Sequence, residues 1–213
     1  MKFRNYVSVI GIAMALCLFV AATMNYPGGT TDSPNTVGYS WTHNFISTLF
    51  ATRALNGAAN PARYFAVLSM LSLCLSIGLM FKQISMRVRS RAHAKTIEIA
   101  GIGTAVYSFL VVTRMHDLMV TIGLVFSLVA LVATAHALYA ERRWLLFGWG
   151  SISIAVTLLG ATMYYGNVFY GFLPVVQKVI FGSSIGWVLA VYYSLISRQA
   201  EATTLSTAIE PAR

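Results

Sequence analysis

Six apolar runs, each long enough to cross a bilayer, fill most of this chain and decide the solvent in which it folds. They are Tyr6–Met24, Tyr64–Phe81, Ile97–Thr113, Leu118–Tyr139, Trp144–Met163 and Val175–Ile196. A hydrocarbon core of roughly 30 Å takes about 20 residues at a helical rise of about 1.5 Å each. The shortest runs cross only if flanking residues snorkel or the bilayer thins a little. Composition agrees: 57% of residues are hydrophobic, 10% are charged and the mean hydropathy is +0.70. A soluble domain carries about 25% charged residues. The runs lack the alternation of a transmembrane β-strand, so the expected fold is all-α. It is a polytopic bundle of six transmembrane helices over residues 1–197, with a polar, frayed tail at 198–213.

The net charge of +9 raises the question of nucleic acid. The basic residues lie in short connections between spans, without a basic face interleaved with aromatics, so nucleic acid is excluded as a partner. Cys17 and Cys74 both fall within apolar runs and read as small buried hydrophobes. Lys2 and Arg4 precede an apolar stretch longer than the core of a cleaved leader, so the first run is read as a retained helix.

Charge sets the expected orientation. Alternating the spans puts Lys2, Arg4, Lys82, Arg87, Arg89, Arg91, Lys95, Arg142, Arg143, Arg198 and Arg213 on one side. Arg53, Arg63, Arg114 and Lys178 lie on the other, an eleven-to-four split. The richer side faces the cytoplasm, so both termini are expected there, with the protein in the cell's inner membrane. The Lys82–Lys95 connection, with five positives, is a topology determinant that also touches lipid head groups.

The outer side differs in kind. Asn25–Tyr39 is turn-rich, with Gly, Pro, Asn and Asp throughout. In Ser40–Leu55, Trp41, Phe45 and Leu49 recur near helical spacing, and His43, Asn44, Ser47 and Thr48 interrupt them. A short interfacial helix over the bundle mouth is expected there. Tyr164, Tyr165, Phe169, Tyr170 and Phe172 suit an aromatic belt.

The polar residues that could carry function share this depth. His43, Asn44 and Ser47 sit in the outer segment, Arg114, His116 and Asp117 in the turn before the fourth run, and Gln177 and Lys178 one turn into the sixth. Ionisable groups at membrane depth are paired or functional, so Asp117 is expected to neutralise Arg114 or Lys178. The candidate ligand-binding set is His43, Ser47, Arg114, His116, Asp117, Gln177 and Lys178, against the alternative that these pairs only clamp the loop. His43, His116 and Asp117 are ligand types suited to zinc or iron, yet no spacing enforces a site, and no metal or cofactor is assigned. A b-type haem is disfavoured because His116 and His136 lie at opposite ends of one run, with His93 in a basic connection. Ser47 with His43 and His116 is the one outer Ser/His grouping suited to nucleophilic chemistry. Gly182 and Gly186 form a small-xxx-small stretch that reads as internal packing or, alternatively, a homo-oligomer face.

With His43-Asn44-Phe45-Ile46-Ser47-Thr48-Leu49 before the second run, His116 at the fourth and Gln177-Lys178 at the sixth, the chain resembles the domain of unknown function 998 family. That family has an Ile-Ser-(Asp/Glu)-Leu motif, a His and a Gln-Arg pair at corresponding places. Thr48 stands where the acidic residue belongs, and Lys178 where the Arg does. More distantly, the chain is similar to the Frag1/DRAM/Sfk1 membrane proteins. The resemblance implies a six-pass fold and no reaction. Two functions remain: a non-enzymatic protein that binds a membrane-lipid head group or small ligand in an outer polar pocket, and a membrane-embedded hydrolase or metal-dependent enzyme using His43, Ser47, His116 and Asp117.

Overall fold

A computed structural model describes the backbone of residues 4–209 and side chains of residues 6–196. Six helices appear: α1 (Arg4–Met24), α2 (Ala62–Ser85), α3 (Arg91–Leu110), α4 (His116–Ala140), α5 (Trp144–Gly166) and α6 (Leu173–Ile209). Among the described residues, five stretches are long and apolar enough to cross a membrane: those of α1, α2, α4, α5 and Tyr170–Ile196. The protein is therefore a multi-pass, all-helical membrane chain. The third expected run, Ile97–Thr113, differs. Its helix begins earlier, at Arg91, ends at Leu110 and takes in Arg91, Lys95 and Glu98, which lower its apolarity. The helix of α6 continues through most of the stretch expected to fray, and residues 210–213 lie outside the described ones.

Each helix packs on the next in sequence, and α2 also meets α6. The α1–α2 seam is built from small residues. Ser69 Oγ donates to the Ala15 carbonyl and Ser72 Oγ to that of Gly11, both at 2.7 Å. A Cβ on Gly11 would lie 2.1 Å from Ser76 Oγ, so glycine is what lets the two backbones close. On α3, Gly101 accommodates Phe81 of α2 and Gly103 accommodates Phe126 of α4. His93 meets His136, and Gly123 lies against Ser108. These pairings run α3 antiparallel to α4 along most of its length. Between α5 and α6, Gly150 accepts Trp187, Gly160 accepts Ile180 and Ser153 meets Ser183 at 2.7 Å. Gly186 lies against Trp149 of the same chain, whereas Gly182 faces open space.

The bundle has two unlike ends. One carries the connections Met86–Ser90 and Glu141–Arg143, and its core joins Met80, Ile84, Leu131, Leu138, Trp187 and Tyr192. This is the basic end. At the other, residues 25–61 fold back over the helices as a cap, packed around Tyr26, Leu49, Phe50, Ala54 and Met70. Gly28 pairs with Val37 and Arg53 with Ala59 in isolated bridges. Gly29 has φ +88°, and a Cβ there would lie 2.3 Å from the Asn56 nitrogen, so this crossing admits only glycine.

The expected interfacial helix over Ser40–Leu55 is not formed. Only Ile46–Phe50 is helical, as a 3-10 turn, while Trp41–His43 is a turn and Ala51–Leu55 is irregular. Instead, the Asn44 amide ties the segment to distant backbone at Gly29, and the Asn60 amide holds it at the carbonyls of Leu49 and Ala51. The buried Leu49 and Phe50 still pack the segment over the bundle mouth.

Candidate functional site

The sequence-derived residues separate into two groups at the cap end. The first is a latch between cap and α6. Asn44 is fully buried; its Oδ1 accepts from the Ser40 N–H at 2.8 Å, and its Nδ2 donates to the Gly29 carbonyl at 2.8 Å. The carbonyl of Asn44 in turn accepts from Lys178 Nζ at 2.7 Å and from the Tyr39 hydroxyl at 3.1 Å. Lys178 also donates to the Pro174 carbonyl at 2.9 Å and lies 5.5 Å from the Tyr39 ring centre. Burial, then the neighbouring Tyr26 phenol, raises the Tyr39 pKa above its ordinary value, so that group stays a donor. One residue along α6, Gln177 Oε1 accepts from the Ile46 N–H at 2.9 Å, satisfying the start of the 3-10 turn. Asn60 Nδ2 secures its other end through the carbonyls of Leu49 and Ala51, at 3.2 and 2.9 Å. Two adjacent α6 side chains thus hold the cap by its backbone.

The second group is a rim where α4 begins and α5 ends. His116 opens α4, with Asp117 in the first turn, where a carboxylate complements the helix dipole. Asp117 Oδ1 takes hydrogen bonds from His116 Nδ1 at 3.0 Å and from the Tyr164 hydroxyl at 3.1 Å. Thr121 and Tyr165 are bonded at 2.8 Å one turn below. Asp117 is nonetheless 85% exposed, and Arg114 beside it is exposed too. His116 Nε2 is shielded from solvent and has no partner.

This geometry corrects the expected ion pairs. Asp117 is bonded to His116 and Tyr164, not to Arg114 or Lys178, because a histidine one residue away and a phenol across the α4–α5 seam are nearer. Lys178 is held by carbonyls instead. Nor do the four residues of the enzyme alternative come together. His43 is exposed and its Nδ1 meets Ser40 and Thr42 hydroxyls, at 3.1 and 2.8 Å, while His116 meets Asp117. Ser47 sits half-buried within the 3-10 turn, near α2 and α6. Among the described residues, no group of three or more His, Cys, Asp or Glu side chains is placed to hold a metal. Sequence reasoning missed Tyr164, whose signal was only its place in the aromatic belt, and Asn60, whose signal was the Asn-Pro break.

Comparisons with family models, curated proteins and solved structures find no match for this chain.

Proposed function

We propose that this chain is a six-pass protein of the cell inner membrane, with both termini cytoplasmic, that binds a phospholipid head group at the Arg114–His116–Asp117 rim without catalysing a reaction. The sixth crossing is α3. It is about 30 Å long by its 20 residues and lies antiparallel to α4 between the same two ends. The resemblance to the domain of unknown function 998 family favours the same count.

One observation carries the binding reading. The rim leaves the opposite charges of Arg114 and Asp117 open to solvent, whereas the polar groups of the latch are taken up by the cap backbone. Arg114 suits a phosphate, and Asp117 an ammonium or hydroxyl donor. Exposed Tyr165, Phe169 and Phe172, 54%, 73% and 68% accessible, give acyl chains and glycerol an aromatic shore beside it. Of the seven candidate side chains, His43, Ser47, Gln177 and Lys178 then belong to the cap and its attachment.

Two experiments test this. Alkaline phosphatase fused after Arg143 is expected to be inactive and after Pro34 active; the reverse would overturn the topology. Native mass spectrometry of the detergent-purified chain should find retained phospholipid, reduced in Arg114→Ala with the fold intact. Equal lipid in both would overturn the binding reading.

A further inference from the structure

The basic end holds a pair of side chains that the functional reading does not use. His93 stands in the first turn of α3, where Ser90 caps the helix by accepting from the His93 N–H. His136 lies on the last turns of α4. The sequence suggested that His93 belonged to a loop, apart from any other histidine. In the fold, antiparallel packing of α3 on α4 brings His93 Nε2 within 2.6 Å of His136 Nδ1, with ring centres 4.8 Å apart and planes inclined by 35°. Two nitrogens this close share one proton, whichever ring carries it. His136 is exposed and His93 half-buried, so the edge of the pair is open.

We propose that His93 and His136 form a two-imidazole site for a divalent transition ion of the zinc, nickel and copper class, bridging α3 and α4 at the basic end. Such ions bind imidazole nitrogen at about 2.0–2.1 Å, and two bonds at a tetrahedral angle set the nitrogens roughly 3.3 Å apart. The rings need to part by well under 1 Å by that estimate, within the swing of two partly exposed side chains. The shared proton moves to a far ring nitrogen or to solvent as the ion takes its place, and water fills the remaining positions.

The surroundings select the ion class. Magnesium and calcium need oxygen ligands. At this end Glu98 of α3 is engaged by Lys82 and Glu141, which caps α4, by Arg143, while Asp117 lies at the opposite end of α4. Arg91 and Lys95 stand two residues either side of His93, a spacing that turns them away from its face of the helix. Their field still opposes a dication. Only an ion that bonds imidazole strongly overcomes it, and the order of affinity places copper first.

The test uses the full chain in detergent, purified through a tag without histidine. Substoichiometric Cu(II) added to the wild type is expected to give an electron paramagnetic resonance spectrum with two imidazole nitrogens. His136→Ala and His93→Asn should each leave one or none. Zn(II), but not Mg(II), should raise the melting temperature of the wild type. Either substitution should weaken zinc binding by more than the roughly tenfold that follows loss of an outer-shell partner. His43→Ala, an exposed histidine at the cap end, should match the wild type in its copper spectrum and zinc response. A wild-type copper spectrum without two imidazole nitrogens would overturn the site, whatever the variants do. So would a zinc response that survives in His136→Ala, an exposed substitution that leaves the core untouched.

Discussion

The latch at the cap end and the basic end use their polar side chains differently. In the latch, side chains serve backbone: Asn44, Asn60, Gln177 and Lys178 all bind main-chain groups of residues 25–61 or the first turn of α6. At the basic end, side chains largely serve each other. Lys82 pairs with Glu98, His93 with His136 and Gln83 with Tyr192, while Arg143 reaches Glu141 and Ser194. The difference follows from chain geometry. The basic end has only short connections between helices, whose backbone is mostly satisfied internally. The cap is an irregular stretch of main chain against a membrane bundle, where each unmet N–H or C=O is expensive. Long irregular segments therefore recruit amides and a lysine, and short turns leave polar side chains free to tie helices in pairs.

Substitutions can break this comparison. The largest effect is expected from Asn44→Ala, which strands the Ser40 N–H and the Gly29 carbonyl inside the cap. Its loss should be about 3 kcal/mol, read as a clear fall in melting temperature in detergent. Gln177→Leu orphans only the Ile46 N–H and should cost about 1–2 kcal/mol. At the basic end, Tyr192→Phe removes the 3.1 Å bond to Gln83 from a side chain that is 1% exposed, and should cost about 1 kcal/mol. If Tyr192→Phe were as damaging as Asn44→Ala, the contrast between the ends would fail. The smallest change is expected for Asp117→Asn. At 85% exposure its carboxylate is largely solvated, so the melting temperature should hardly move.

Much of the architecture was legible in the sequence because helices in a membrane are dictated by length and apolarity. The run Tyr6–Met24 coincides with the described apolar stretch of α1, and Trp144 opens α5 as expected. α3 was read less well, since its first turns carry charges that a hydropathy criterion treats as loop. The cap was not legible. The spacing of Trp41, Phe45 and Leu49 imitates a helix, but Asn44 bonds a residue 15 positions back and Gln177 reaches Ile46 across 131. No local pattern announces such contacts. The same is true of His93 with His136, joined across 43 residues by the antiparallel packing of α3 and α4. Asp117 misled for a simpler reason: formal charges suggested a cation, and a neighbouring imidazole and a phenol took the bonds.

The cap end divides into a latch that ties the cap to α6 and a rim that we propose meets lipid. The most direct measurement compares retained phospholipid, by native mass spectrometry, with melting temperature in two variants prepared identically. Arg114→Ala is expected to lose lipid at unchanged melting temperature, and Gln177→Leu to melt lower while keeping its lipid. Parallel loss of both properties in the two variants, or lipid retention unchanged in Arg114→Ala, would contradict the division.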